Sequence, residues 1–168
     1  MSVATAGTQL FTGAPVRPTI DVVRVSSPAE LAAALEIRRR VFAEEQDASD
    51  LRIADPDDPR SIIALASILD DGAFIPAATG RLTLPQSRTG QALIAWVATV
   101  MEARDRGAGG AVMRYLLDAA DEAGVQETAL AAQIPAERFY RRLGFVAAGP
   151  LYDVRGITHR RMVRLRPR

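Results

Sequence analysis

The segment from Val97 to Gly124 constrains the fold more than any other, because a β-prone stretch ending at Thr99 passes through glycines directly into an amphipathic helix. Val112, Met113, Leu116, Leu117 and Ala120 recur at helical spacing, Arg114, Asp118, Asp121 and Glu122 face away, and Gly124 is placed to end the helix. A helix entered from a strand needs a sheet under its apolar stripe, so the chain mixes strands and helices. The turn itself suits an anion. Helix-start N–H groups carry partial positive charge, and Gly107 and Gly109 have no β-carbon to hold a phosphate away. Arg104 and Arg106 supply countercharge in a forked geometry that matches phosphate.

Around this segment the period alternates. Ile20 to Val25 reads as a first strand, followed by a helix that Ser27 caps, with Pro28 at its first position and Glu30 three residues after the cap. Leu31, Leu35, Arg38 and Phe42 share one helix face, and the loop that follows carries Asp55, Asp57 and Asp58, read as a solvated acidic loop with a site contribution left open. Strands near Ser61 to Leu69, Ala77 to Leu84 and Ala92 to Thr99 form an antiparallel meander, turned by Asp71-Gly72 and Thr89-Gly90. Thr128 to Ala132 is a short strand, Pro135 to Leu143 a helix closed by Gly144, and two strands near Phe145 to Asp153 and His159 to Leu165 finish the chain. The last of these reads as an edge strand with solvated Arg. Residues 1 to 18 read as a flexible N-terminal arm and residues 19 to 168 as a single domain.

Composition removes several chemistries. The 168 residues contain no Cys, Lys or Asn and a single His, His159, which excludes disulfides, thiol nucleophiles, a Schiff-base lysine and a P-loop lysine. One imidazole makes a histidine-rich metal site impossible, and no metal is expected. His159, alternating with Arg160 and Met162, reads as a structural or rim histidine rather than a base, and without a G-x-S-x-G elbow a hydrolase triad is not expected. A net charge of +1 from 21 Arg and 20 carboxylates predicts no nucleic-acid partner. No apolar run reaches membrane-spanning length and no signal peptide opens the chain, so a cytoplasmic location is expected.

Two blocks together carry a family resemblance. Arg104-x-x-Gly107-x-Gly109 fits the pattern Q/R-x-x-G-x-G/A, as does the register Arg106-x-x-Gly109-x-Ala111; the first is preferred because it sets Val97, Ala98 and Thr99 on the preceding strand. Gln133 to Phe145 fits N-x-x-A-x-x-F-Y-x-x-L-G-F residue for residue, with Gln in place of the first Asn. The chain thus resembles the GCN5-related N-acetyltransferases (GNAT). Ile37 to Gln46 and Gly156 to Met162 resemble a bacterial subgroup of small acetyltransferase-like proteins, as does Arg81 within Thr79-Gly80-Arg81-Leu82. Two features depart from that subgroup on the acceptor side: Trp96 stands where Arg is usual, and the acidic loop lacks a leading Glu.

The resemblance implies an α/β (α+β) fold with a mixed, mostly antiparallel sheet of about six to seven strands flanked by about four helices. It also implies acetyl-CoA as acyl-donor substrate and a small amine or amino-acid-like acceptor. The implied donor site comprises Val97, Ala98 and Thr99, the loop residues Arg104, Asp105, Arg106, Gly107, Ala108, Gly109 and Gly110, and Gln133 and Tyr140. Tyr140 is the implied general acid: a phenol titrates near about 10, so it is protonated at neutral pH and holds a proton that can be given to the departing sulfur as the carbon–sulfur bond breaks. By helical period alone Tyr140 is a core aromatic beside Phe139. Glu45 is the candidate base, and equally an ordinary solvated glutamate. The Arg38-x-x-Val41-Phe42 region and acidic loop also resemble acyl-homoserine-lactone synthases, which use longer acyl donors but generally lack the glycine loop. A non-catalytic acyl-CoA-binding module is the other alternative, and edge strands near the carboxyl end are compatible with a homodimer.

Overall fold

Ser27 begins the first helix as its spacing predicts: its hydroxyl accepts the Glu30 N–H at 3.2 Å, and the Glu30 carboxylate accepts the Ser27 N–H at 3.0 Å. The computed structural model describes residues 17–87 and 89–167. The expected arm therefore lies outside the described residues apart from Arg17 and Pro18.

The strands are β1 (Ile20–Arg24), β2 (Ile62–Asp70), β3 (Ala73–Thr83), β4 (Ala92–Thr99), β5 (Glu127–Gln133), β6 (Val146–Val154) and β7 (Ile157–Leu165). They form one sheet in the order β1-β2-β3-β4-β5-β7-β6, in which β4 and β5 are the parallel pair and all other neighbours are antiparallel. The helices are α1 (Pro28–Arg38), α2 (Ala108–Glu122) and α3 (Glu137–Arg141), with a π-helical turn, Arg39–Glu44, continuing α1. Left-handed Asp71 (φ 45°) and Gly72 (φ 81°) make the tight turn of the β2–β3 hairpin.

Helices cover both faces of the sheet. A β-carbon at Gly80 of β3 would lie 2.8 Å from Val112 Cγ1, which places α2 directly on that face. The next residue, Arg81, points to the opposite face and pairs with the loop after α1. Leu82, Val112, Met113, Leu116, Phe145 and Met162 are fully buried, and each such large apolar side chain contributes about 1.5–3 kcal/mol.

One expectation is corrected. β7 is internal, paired on both sides, and β6 takes the sheet edge. The arginines of β7 are accordingly ion-paired, Arg164 with Asp121 at 2.8 Å and Arg160 with Glu137 at 3.2 Å, while Arg161 stays exposed beside Glu127 at 3.6 Å.

Candidate active site

The site is built where β4 loses its neighbours. On one side it pairs with β5 only from Ala92 to Ile94, opposite Thr128 to Leu130, and the two parallel strands then part. On the other side Trp96 and Val97 together oppose Gly80, a β-bulge in which Trp96 takes a left-handed φ of 57°. Such a backbone costs about 1–3 kcal/mol and persists only where surroundings over-determine it. Here they do. The indole N–H donates to Asp55 Oδ2 at 2.9 Å, the ring packs edge-on against Phe42 with centroids 5.3 Å apart, and the Arg38 guanidinium lies 5.1 Å from its centroid.

The parting strands lead to the start of α2. Gly107 has φ 94° and ends the loop, while Ala111 N–H to Gly107 O at 3.0 Å is the first bond of the helix. The N–H groups of Ala108, Gly109 and Gly110 precede it and have no acceptor among the described residues. A β-carbon at Gly109 would lie 2.8 Å from Thr99 Oγ1 and 3.9 Å from Phe139 Cζ, so this glycine seals strand end, helix start and α3 together. Of the loop's charges, Arg104 donates to the Thr99 carbonyl at 3.2 Å and pairs with the Glu45 carboxylate. Asp105 is left-handed at φ 60°, and Asp105 and Arg106 are exposed.

Tyr140 is set by the end of α3. The Phe145 N–H reaches back to the Tyr140 carbonyl at 3.2 Å and Gly144 N–H to Arg141 O at 3.1 Å, a Schellman closure in which Gly144 supplies φ 90°. Tyr140 is 8% exposed, with its ring edge-on to both Phe139 (5.1 Å) and Phe145 (6.0 Å). Burial pushes the phenol up to about 12. Its hydroxyl has no hydrogen-bond partner among the described residues.

Residues 45 to 50 form a strap across the cleft mouth. Glu45 pairs with Arg104 before α2, Gln46 and Gln133 exchange amide hydrogen bonds (3.2 and 3.4 Å) at the end of β5, and Asp50 pairs with Arg155 in the β6–β7 turn. The structure therefore brings Glu45, Arg104 and Thr99 together, and Gln133 joins them through Gln46. No hydrogen bond ties Tyr140 to this group among the described residues.

Beneath the strap lies a charge cluster that the acidic-loop reading missed. Arg38 is fully buried and donates to both Asp58 oxygens (2.8 and 3.1 Å) and to the Ile53 carbonyl (3.1 Å). Arg81, 6% exposed, meets Asp55 at 2.6 Å and Asp58 at 3.5 Å. The available signal was Arg38 on an otherwise apolar helix face, since a buried guanidinium requires carboxylate partners. Desolvation raises the Asp55 pKa, but hydrogen bonds from Trp96, the Asp57 N–H and Arg81 outweigh it and hold the carboxyl at about 2; Asp58 is lowered by Arg38 in the same way. A depressed carboxylate stabilises the fold above its unfolded pKa and loses that contribution as pH falls through the folded value. Stability is thus expected to hold down to about pH 4 and to erode toward about pH 2, measured as denaturant midpoint against pH, with the erosion weakened in Asp55→Asn.

Comparison with known proteins accords with this geometry. The model of the Acetyltransferase (GNAT) family matches residues 31–145, which takes in the strap, the bulge, the glycine loop and Tyr140. The chain belongs to the GNAT acetyltransferase family. It is an acyltransferase with an acyl-CoA donor. Among solved structures, this GNAT enzyme is similar to an acyl-CoA N-acyltransferase from Pseudomonas aeruginosa at 29% identity, TM-score 0.71, covering 88% of this chain and 99% of that one. It shares its fold with ElaA of Escherichia coli at 21% identity, TM-score 0.72, over 88% and 99% of the chains. The same holds for FeeM, an N-acyl amino acid synthase from uncultured soil microbes, at 16% identity, TM-score 0.66, over 88% and 91%. No curated protein matches the chain. Among the described residues no helix is long and apolar enough to cross a membrane, and no cluster of metal-ligating side chains occurs.

Proposed function

We propose that this enzyme transfers the acetyl group of acetyl-CoA to the amine of a small, amino-acid-like acceptor, with Tyr140 as general acid. One observation carries the reading: β4 parts from β5 beside the uncommitted amides that start α2, where Gly109 packs against Thr99 and against Phe139, the α3 neighbour on which the Tyr140 ring rests.

Each group then has a role its position supports. The N–H groups of Ala108, Gly109 and Gly110 receive the diphosphate, with Arg104 and Arg106 as countercharge. The parted edge of β4 at Val97, Ala98 and Thr99 offers backbone groups to the pantetheine arm and the thioester carbonyl, and Gln133 faces the same arm from β5. Tyr140 remains protonated to about pH 12 and has a proton to give at any working pH. Glu45 stands at the mouth, its carboxylate committed to Arg104.

A longer acyl donor is the second reading. It is favoured by the fold shared with an N-acyl amino acid synthase and by the Arg38-x-x-Val41-Phe42 segment, whose Arg38 and Phe42 both pack on Trp96. Thiol release measured with a panel of amines and amino acids, using acetyl-CoA and octanoyl-CoA in parallel, separates the two. Faster release from acetyl-CoA is expected. Faster release from octanoyl-CoA would replace this reading with the second, and calorimetric binding of both without release would make the protein a binding module.

A further inference from the structure

We propose that His159 is the catalytic base of this enzyme, accepting a proton from the acceptor amine at Nε2; the inference rests on the acyl-transfer reading above. Its position in the sheet is the first argument. The β5–β7 ladder sets His159 opposite Gln133, and the β7–β6 ladder sets Tyr152 opposite His159. Cross-strand partners share a face, so Gln133, His159 and Tyr152 stand in a row that begins where β5 leaves the cleft. This is the face on which Gln46 meets Gln133, opposite the one that buries Met162.

The second argument is the chemistry of the ring. Nδ1 lies 2.7 Å from the Ile157 carbonyl. A carbonyl only accepts, so in the neutral imidazole Nδ1 carries the hydrogen and Nε2 keeps its lone pair. Tyr152 stacks on the ring at 6.0 Å and 24°, fixing its plane. The charged groups bordering the row are already paired: Glu45 with Arg104 and Asp50 with Arg155 on the strap, and Arg161 with Glu127 on β7 and β5. Nε2 has no hydrogen-bond partner among the described residues, whereas Glu45 is paired with Arg104.

In the proposed step the amine lone pair forms the bond to the thioester carbon. One N–H proton passes to Nε2 as the carbon–sulfur bond breaks, and the Tyr140 proton goes to the sulfur. Imidazolium and phenolate return to their starting forms by proton exchange through solvent.

The chain has one histidine, so ring-labelled protein gives one pair of imidazole nitrogen resonances without assignment. Nδ1 is expected to be protonated in the free protein and the Nε2 resonance to shift when CoA, and then acetyl-CoA, is added. Resonances unmoved at calorimetric saturation with CoA overturn the proposal and leave the acyl-transfer reading standing; failure of CoA to bind overturns both. With the fastest amine of the panel, His159→Gln is expected to lower kcat by about 10²- to 10⁴-fold at unchanged KM for acetyl-CoA, and His159→Ala to recover activity with added imidazole. A loss that imidazole does not rescue would mark the residue as structural. Turnover retained in His159→Gln but lost in Glu45→Gln would make Glu45 the base.

Discussion

Tyr140→Phe is expected to bind acetyl-CoA with unchanged affinity while kcat falls by about 10²- to 10⁴-fold, the usual cost of losing a positioned general acid. Binding is spared because the substitution keeps the ring that packs against Phe139 and Phe145 and leaves the Schellman closure of α3 intact. The fold is spared too. The hydroxyl has no partner among the described residues, so its removal strands no donor or acceptor in the interior. Steady-state thiol release with calorimetric titration separates the two quantities. Undiminished turnover in the variant would remove Tyr140 as the acid.

Asp58→Ala is expected to destabilise the fold by about 3–5 kcal/mol, the range found when one partner of a buried ion pair is deleted. Arg38 has no exposed surface, and Asp58 answers it with both oxygens while also accepting the Asp55 N–H at 2.9 Å. Removing the carboxylate leaves a buried guanidinium and loosens the loop that holds Trp96 through Asp55. For a domain of this size the thermal midpoint drops by roughly 10 °C. The contrast lies one residue away. Asp57 pairs with Arg60 at the surface, so Asp57→Ala is expected to cost under about 1 kcal/mol, and denaturant midpoints at constant slope compare the two.

Local structure was legible wherever local chemistry decides it. The Ser27–Glu30 capping box, the Asp71-Gly72 turn and the glycines closing α2 and α3 each express a backbone requirement within a few residues, and the structure meets them at the expected places. Amphipathic period marked α2 because its core-facing residues are all apolar. What escaped depends on partners distant in sequence. Asp58 lies twenty residues from Arg38, and nothing near it distinguishes a carboxylate destined for a buried guanidinium from one facing water. The strap was equally hidden, since Gln46 meets Gln133 across 87 residues. Strand order set the fate of the β7 arginines, and strand order follows from how the whole sheet assembles. Within the candidate site, the glycine loop and Tyr140 stood out through the family resemblance, whose motifs are short and contiguous, whereas the ring that pins the bulge did not: Trp96 reads as a departure until Asp55, Phe42 and Arg38 are seen around it.

The alternation of β3 has a practical consequence. Gly80 lies under α2 and Arg81 joins the ions of the loop after α1, so adjacent residues of one strand serve opposite faces of the sheet, and the Glu45–Arg104 and Gln46–Gln133 contacts tie the strap to the start of α2 and the end of β5. Laboratory evolution can exploit this partition. Under the proposed acyl transfer, libraries confined to positions 47 to 60, with Asp55 and Asp58 spared, are expected to change which amines are acylated while the glycine loop and α2 keep their sequence.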